Sequence, residues 1–326
     1  MSKTLYPLQF QALFKYRMWG GNKLKTVLNK NYTEKNIGES WEISDVEGSE
    51  TVVIRGKLQG YTLKQLITEY KSDFLGRQVF EKFGSSFPLL IKFIDAKTPL
   101  SVQVHPHDII AKERHNSFGK NEMWYVMDAD ANAEIIVGFD KTTDRQAYIE
   151  ALTKGRVLDL LNTVHAQKGD TFYIPTGRIH AIGAGVMLAE IQQTSDITYR
   201  VYDYDRIDQA SGKKRELHNT LAIDVLDFEA HDNYKTKYSR DVNTSNTLVH
   251  SPYFKTNFLN IEGHLDRDYS NLDSFVILIC TSGSAIIAYN NEKYHLSNGS
   301  TLLIPAALKV IGISTDTLSE IIEVHL

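Results

Sequence analysis

The chain has 326 residues with 36 Lys or Arg, 40 Asp or Glu and 42% hydrophobic residues, so its formal net charge is −4. This length is enough for about two domains with a sizeable core, and the mixed charges argue against a nucleic-acid partner. The apolar runs are far shorter than the ~20 residues of a membrane span. One cysteine, Cys280, excludes an intramolecular disulfide framework and a multi-cysteine zinc site. The first residues lack the apolar segment of a secretory signal, so we expect a cytoplasmic globular protein with no membrane partner.

Helical periodicity appears first at Thr62–Tyr70, where Thr62 is suited to cap the helix. Asp144–Leu152 and Val157–Asn162 predict a second, broken helical stretch. Most other segments predict strands, because they are short, rich in β-branched or aromatic residues and bounded by Gly, Pro, Asp or Asn. In chain order these strands are Phe87–Ile94, Leu100–His105, Met123–Val126, Glu134–Val137, Thr171–Ile174, Met187–Gln192 and Phe275–Ile279.

An internal repeat is visible in two pairs of segments. Gly169–Pro175 (GDTFYIP) is echoed 130 residues later by Gly299–Pro305 (GSTLLIP), and Glu134–Val137 is echoed 151 residues later by Ala285–Ala288. The two offsets differ by 21 residues, about the length of the helical stretch at 144–162, so the first copy alone carries that insertion.

The repeated phrase is typical of cupins, which are small jelly-roll barrels. The sequence therefore predicts a mainly β fold with two cupin (jelly-roll) units and helical insertions in the first. The polar stretch His231–Asn246 predicts the boundary between a metal-binding domain at residues 1–235 and a smaller β domain at residues 236–326.

Polar residues alternate with valines just before Pro106. Side chains two residues apart share one face of a strand, so Ser101, Gln103 and His105 are expected to point together. The same alternation also fits a half-exposed strand without a function. Pro106 ends the hydrogen bonding of this strand, and we expect His107 beyond it to lie at the rim of any site.

Two further residues extend this polar set. Glu122 opens a predicted strand, where a solvated carboxylate is the alternative interpretation. His180 follows the first heptapeptide, and the residue 130 positions later is Val310, which we expect to be a packing residue. This asymmetry favours a function in the first unit and a purely structural second unit.

Gln103, His105, Glu122 and His180 together supply an amide oxygen, two imidazoles and a carboxylate. Such a mixed N/O set suits a divalent transition metal. We predict one Zn²⁺ per chain, with Mn, Fe and Co as alternatives.

Several segments within residues 1–206 follow one another in the order of a known family. They are Tyr6–Phe10, Trp19–Gly21, Gly38–Ser44, Ser101–Pro106, Lys120–Glu122, Gly177–His180 and Glu190–Arg200. On these segments the sequence resembles the type I mannose-6-phosphate isomerases in their short bacterial form, without the helical insertion domain of longer members.

The resemblance implies a zinc-dependent interconversion of mannose 6-phosphate and fructose 6-phosphate, by proton transfer through an enediol. It implies that the four residues above bind zinc and that Arg200 is the active-site arginine. It also implies that Lys92, Ser101, Lys120 and Glu190 line the same cleft. The partner is then a small sugar phosphate.

The chemistry of these residues leaves some roles open. Arg200 and Lys120 offer positive charge for the phosphate or for the enediolate. Glu190 is the carboxylate available for proton transfer, or for orienting Arg200. Arg206 stands where longer members carry a lysine, which leaves the phosphate contacts open.

Structural roles are the alternatives for the same residues. Lys120 would then be solvated in a turn, and Glu190 would pair with an arginine. Arg200 would be a surface residue paired with Asp203 or Asp205, an arrangement of little energetic value.

Two other classes of protein fit parts of the pattern. A cupin oxygenase would use a redox-active iron at a His/His/Glu site, whereas the polar line of Ser101 and Gln103 suits a sugar phosphate better. A non-catalytic sugar-binding cupin would tolerate loss of the metal set, which here is complete.

Overall fold

The structure, a computed structural model, describes residues 4–326 and is mainly β. Its helices are α1 (Lys23–Thr26), α2 (Leu63–Tyr70), α3 (Ser72–Leu75), α4 (Arg77–Phe83), α5 (Asp108–His115), α6 (Arg145–Thr153) and α7 (Asn219–Ile223), with a 3-10 helix at Val157–Leu160. Its strands are β1 (Leu13–Gly21), β2 (Ile37–Ile43), β3 (Asp45–Val46), β4 (Ser49–Glu50), β5 (Leu89–Ala96), β6 (Val102–Val104), β7 (Glu122–Ala129), β8 (Glu134–Phe139), β9 (Leu161–His165), β10 (Thr171–Ile174), β11 (His180–Ile182), β12 (Val186–Gln193), β13 (Tyr199–Tyr202), β14 (Ser245–His250), β15 (Lys255–Asp268), β16 (Val276–Ser282), β17 (Ser284–Tyr289), β18 (Glu292–Ser297), β19 (Thr301–Ile304) and β20 (Val310–His325). Within the described residues, every helix is too short or too polar to cross a membrane.

The first unit is built on a six-stranded sheet with the order β1-β2-β5-β12-β7-β10. Successive side chains of its central strands point to opposite faces. Ile91, Met123 and Ile191 lie on one face, in the largest apolar cluster of the molecule. Lys92, Glu122 and Glu190 are their neighbours in sequence, and therefore lie on the other face.

A five-stranded sheet with the order β13-β6-β11-β8-β9 covers that second face. Ile135, Val137 and Ile182 pack between the two sheets. Val102 and Ala181 lie on the outer face, where a separate apolar cluster covers them. The five-stranded sheet is therefore buried on both sides, and the polar residues of its inner face point into the barrel.

The second unit is a seven-stranded sheet containing β14 to β20. Its inner side chains, such as Phe258 and Ile277, belong to the same apolar cluster as the outer face of the six-stranded sheet. Leu8 and Leu303 exchange two backbone hydrogen bonds of 2.8 Å between the units. The proposed boundary at residue 235 remains a prediction, since the apolar cluster continues across it.

The repeat is confirmed at the level of individual strands. Gly169 and Gly299 both have positive φ, of 89° and 76°. Each lies two residues before a four-residue strand, and a proline directly follows that strand. Glycine adopts this left-handed backbone without the steric cost of a Cβ atom. The next strands begin at His180 and Val310, which are 130 residues apart.

The expectation that Val310 is a packing residue is wrong. Its side chain is 54% exposed, and burial alternates along the beginning of β20. Ile311 and Ile313 point inward, so Val310 points to solvent. Position 310 therefore differs from position 180 in burial as well as in residue type.

Five of the seven predicted strands lie within two residues of the observed bounds, whereas β7 and β16 each continue three residues beyond their predicted ends. The cap of α2 is also as predicted, because Thr62 and Gln65 form a reciprocal capping box. Asp144 caps α6 through the backbone N–H of Ala147. The prediction of helix over Val157–Asn162 is wrong at its end, since Leu161 already pairs with Phe139 in a β-ladder.

Candidate active site

Three predicted metal ligands meet inside the barrel. Glu122 begins β7 on the six-stranded sheet, His180 begins β11 on the facing sheet, and His105 follows β6. His105 Nε2 lies 3.5 Å from Glu122 Oε2, and His180 Nε2 lies 3.4 Å from Glu122 Oε1. All three side chains are buried, and their ligand atoms lie within 4.8 Å of one another. This group could hold a metal ion, and the interpretation of Glu122 as solvated is wrong.

The outer nitrogens of both imidazoles are fixed by backbone carbonyls. His105 Nδ1 is 3.1 Å from the oxygen of Ile197, and His180 Nδ1 is 2.8 Å from the oxygen of Arg178. A carbonyl can only accept, so each Nδ1 carries the proton and each Nε2 presents a lone pair to the barrel interior. This tautomer is the one that a metal ion requires.

The charge states also suit a metal. Burial, followed by the charge of Lys120, lowers the pKa of His105 to about 3, and burial lowers that of His180. Both rings are therefore neutral at pH 7, as ligands must be. Within the described residues, Glu122 Oε1 has no hydrogen-bond donor although it is fully buried. A buried carboxylate oxygen without a donor is costly, and a cation would remove that cost.

Gln103 lies next to this group, as predicted. Its Cα pairs in register with His180 on one side and with Arg200 on the other. Its Nε2 is 3.3 Å from His180 Nε2, and its Oε1 is 3.5 Å from Ser101 Oγ. A half-turn of the amide would exchange the two atoms and bring the oxygen beside the imidazole, so Gln103 fits as a fourth ligand.

Lys120 is buried rather than solvated. Its Nζ donates to Glu122 Oε2 at 2.7 Å and to His105 Nε2 at 3.1 Å. Burial opposes its charge, but the carboxylates of Glu122 and Glu190 outweigh burial and raise the pKa of Lys120. The side chain is therefore an ammonium that would compete with a bound divalent ion for Glu122.

Lys92 and Glu190 form a buried ion pair on adjacent strands. They are opposite each other in the β5–β12 register, and Lys92 Nζ donates to Glu190 Oε1 at 3.0 Å. Trp124 Nε1 donates to the other carboxylate oxygen, also at 3.0 Å. In the described residues Glu190 thus bonds a lysine and a tryptophan, and the expectations that it pairs with an arginine or orients Arg200 are wrong.

Arg200 extends from β13 into the same cleft. Its Nη1 donates to the backbone oxygen of Glu216 at 2.7 Å, while its buried Nε has no acceptor among residues 4–326. Asp203 is occupied by Arg206 and Arg215, so pairing of Arg200 with Asp203 is wrong. Burial, and then the nearby charge of Arg215, lowers the pKa of Arg200.

The cleft has a volume of about 380 Å³. It is lined by the predicted residues Lys92, Ser101, Gln103, Lys120, Glu190 and Arg200. His107 lies in no wall of this cleft.

Sequence reasoning missed one wall of the cleft. Arg17 donates to both oxygens of Glu39 at 2.9 Å, and Trp41 Nε1 donates to Glu39 Oε2 at 2.7 Å. Burial opposes ionisation of Glu39, but the charges of Lys92 and Arg17 outweigh it and lower its pKa to about 2. The sequence carries no signal for this wall, because the burial of Glu39 in β2 becomes evident only in the folded sheet.

Comparison with known proteins gives the family. A model of the catalytic domain of type I phosphomannose isomerase matches residues 7–141, and a model of the mannose-6-phosphate isomerase cupin domain matches residues 244–326. The chain is 35% identical over 310 residues to mannose-6-phosphate isomerase ManA of Bacillus subtilis, covering 94% of this chain and 95% of that protein. The chain belongs to the type I phosphomannose isomerases.

Other members of the family show a similar level of identity and the same fold. The mannose-6-phosphate isomerase of Streptococcus mutans is 36% identical over 305 residues, which cover 93% of each chain. The crystal structure of the Bacillus subtilis mannose 6-phosphate isomerase superposes with a TM-score of 0.88 and 31% identity, covering 98% of this chain and 99% of that one. Membership confirms the predicted family and the cupin fold, and argues against the oxygenase and binding-module alternatives.

Proposed function

We propose that this chain interconverts mannose 6-phosphate and fructose 6-phosphate with the help of one Zn²⁺ ion. The observation that carries the proposal is the buried group of His105, Glu122 and His180, in which the free carboxylate oxygen Oε1 lies 3.4 Å from Nε2 of His180. Gln103 completes a four-residue set of N and O ligands, a composition that suits zinc. When bound, the ion would act as a Lewis acid for oxygens of the sugar.

The reaction moves one proton between C2 and C1, and a second between the two oxygens, so no redox partner is required. The protein must therefore supply a base beside C1 and C2 and positive charge for the enediolate. Glu190 is our choice for the base, because it is a buried carboxylate lining the cleft. Its bonds to Lys92 and Trp124 fix its position.

Lys120 serves as an acid in this scheme. Its raised pKa keeps it as an ammonium at pH 7, so it can donate a proton or a hydrogen bond to a sugar oxygen but cannot act as the base. Lys92 and Ser101 also line the cleft and are proposed to bind sugar hydroxyls. Ser101 is buried beside Gln103, which places it close to the ligand set.

Arg200 is proposed to stabilise the enediolate. It lies next to Gln103 in register, and its buried Nε has no acceptor among residues 4–326. A donor held ready in a dry site stabilises charge that develops only in the transition state. The planar guanidinium also contacts two oxygens at once, which an ammonium cannot do.

One coupled assay tests the whole proposal. Production of fructose 6-phosphate from mannose 6-phosphate is measured before chelation, after chelation, and after addition of Zn²⁺, Mn²⁺, Fe²⁺ or Co²⁺ under anaerobic conditions. We expect chelation to abolish turnover and Zn²⁺ to restore it without oxygen. Full activity in the chelated, metal-free protein would contradict the metal assignment, and absence of turnover in zinc-loaded protein would contradict the reaction.

A further inference from the structure

Positive charge is distributed unevenly in the cleft. Three of its cations each contact a carboxylate: Arg17 with Glu39, Lys92 with Glu190 and Lys120 with Glu122. Arg200 instead contacts a backbone oxygen, and Arg215 shares its carboxylate, Asp203, with Arg206. The uncompensated charge therefore lies at the end of the cleft formed by Arg200 and Arg215.

Asp203 is the centre of this arginine cluster. Its buried carboxylate accepts from Arg215 Nε at 2.8 Å and Nη2 at 2.5 Å, and from Arg206 Nη2 at 2.6 Å. Burial opposes its ionisation, but the bonds from Arg215 and Arg206 outweigh burial and lower the pKa of Asp203. One carboxylate against the two guanidiniums of Arg206 and Arg215 leaves one positive charge in this cluster. A phosphate monoester carries about −1.5 to −2 at pH 7.

The two arginines bound to Asp203 differ in their remaining donors. Arg206 Nε donates to the backbone oxygen of Asp203 at 3.2 Å, and its Nη1 donates to the oxygen of Pro99 at 2.6 Å. Its three nitrogens therefore all have protein acceptors, and its guanidinium lies over the ring of Tyr204. Arg206 lines a neighbouring pocket and not the cleft.

The guanidinium of Arg215 uses only part of its donors within the described residues. Its Nε and Nη2 hold Asp203 in a bidentate contact, whereas Nη1 has no acceptor among residues 4–326. Arg215 lines the cleft, and its charge acts directly on Arg200. The competing anions are Asp196 and Asp208, which also line the cleft, and Glu216, whose charge acts on Arg200.

We propose that Arg215, beside Arg200, binds the phosphate group of the substrate, that Asp203 positions Arg215, and that Arg206 is structural. The inference rests on the proposed function, and it assigns the phosphate contacts that the family resemblance left open. Guanidiniums bind phosphate oxygens through short, charge-assisted hydrogen bonds. With the phosphate on Arg215, Arg200 remains available for the charge that develops at the reacting carbons.

The test compares Arg215→Met with Arg206→Met in zinc-loaded enzyme. Both variants remove one guanidinium from Asp203, but only the first removes one from the cleft. For Arg215→Met we expect the KM for mannose 6-phosphate, and the inhibition constant of inorganic phosphate, to rise roughly 10- to 100-fold, the scale of one lost charge-assisted bond. We expect kcat to change less than about threefold, because the phosphate contact is equally strong in the bound substrate and in the transition state.

For Arg206→Met we expect both constants to stay within about threefold of the wild type while the melting temperature falls. Unchanged constants in Arg215→Met, or an equal rise in Arg206→Met, would overturn the proposal. If Arg215→Met does not fold, Arg215→Lys can be used instead, because it retains a charge near Asp203. It should still raise the KM and the inhibition constant of inorganic phosphate, because an ammonium cannot form the bidentate contacts of a guanidinium.

A wild-type measurement keeps the two proposals distinguishable. Inorganic phosphate should protect Arg215 from an arginine-specific dicarbonyl reagent, as mapped by peptide mass spectrometry, and absence of protection would overturn the phosphate site. If the zinc-loaded protein binds inorganic phosphate through Arg215 but does not isomerise mannose 6-phosphate, the proposed function fails and the anion site stands.

Discussion

The hairpins β8–β9 and β17–β18 occupy equivalent places in the internal repeat, but their connections differ. Asn290 and Asn291 join β17 to β18 in a two-residue turn, with φ of 47° and 63°. Positive φ at both central residues is the geometry of a type I′ turn, and asparagine tolerates it. In the first unit residues 140–160 replace that turn and contain α6 and the 3-10 helix.

The insertion covers the outer face of the neighbouring sheet. Tyr148 and Val157 from the insertion join the apolar cluster on the outer face of the five-stranded sheet. His180 lies on the inner face of β11 and is fully buried between the two sheets, whereas Val310 in the second unit points outward and is half exposed. The two equivalent positions therefore differ in orientation, and the insertion adds an outer apolar layer that the two-residue turn of the second unit does not supply.

The largest effect is expected from removing a ligand in the first unit. His180→Ala should lose most of the bound metal and lower turnover by roughly 10³-fold or more, since it removes an imidazole ligand from the set. The barrel should still fold, because its apolar core remains. Metal analysis and the coupled assay check this, with Val310→Ala as the matched variant that should change neither. Full zinc occupancy in folded His180→Ala would refute the ligand assignment. Gln103→Ala should be milder, because water can replace a neutral amide oxygen.

Arg200→Ala tests the proposed role of Arg200 in stabilising the enediolate. We expect kcat to fall roughly 10²- to 10³-fold, with a smaller rise in KM, because the lost interaction forms mainly in the transition state. Arg200→Lys should recover little of the rate. Near-normal kcat and KM in Arg200→Ala with intact zinc would remove Arg200 from the mechanism.

In the second unit the expected effects are on stability alone. Ile277→Ala, in the fully buried part of β16, should lower the free energy of unfolding by about 2–5 kcal/mol through cavity formation. The metal content of the folded fraction should not change. Leu318→Ala, at an exposed position of the same unit, should stay within about 0.5 kcal/mol of the wild type. Urea unfolding measures both variants, and zinc bound in the second unit would contradict its structural role.

The lowered pKa of Glu39 predicts that the free energy of unfolding depends on pH through a group of the first unit. Its folded pKa of about 2 lies below the ordinary value of 4.5, so its ionised form stabilises the fold above pH 4.5 and loses that contribution as the pH falls toward 2. Glu39→Gln should cost about 3 kcal/mol at pH 7, the size of such a shift.

The difference between Glu39→Gln and the wild type should shrink below pH 4.5 in urea unfolding at a series of pH values. Glu47→Gln, at an exposed position, should show a small difference that does not depend on pH. A difference for Glu39→Gln that stays constant down to pH 3 would contradict the shifted carboxylate.

Local sequence patterns were enough to predict seven of the strands and the ligand face. Turn residues and β-branched runs mark β10 and β12, and the period of two along β6 places Gln103 and His105 inside the barrel. The short helices α1, α3, α4, α5 and α7 were not predicted, because they are four to eight residues long and depend on tertiary packing more than on periodicity.

The missed residues of the cleft depend on long-range pairing. Glu39 looks solvated until Arg17 and Lys92 are brought beside it by the sheet. Arg215 lies in a loop without any periodic signal, and only the buried Asp203 distinguishes it from other surface arginines. The exposure of Val310 follows from its outward orientation at the start of β20, which a repeat offset alone does not reveal.

Because the apolar cluster is continuous across both units, a ligand that binds in the first unit also affects the stability of the second. Phe87 and Phe275 pack across the two units as tilted rings with centroids 4.7 Å apart, so neither half can unfold without exposing apolar surface of the other. Any ligand that binds only the folded chain stabilises both halves, by about 2.7 kcal/mol at a concentration 100 times its dissociation constant. Under the proposed function, loss of the metal or of the sugar phosphate would therefore shorten the lifetime of the whole polypeptide against proteases, including the second unit, for which we predict a structural role alone.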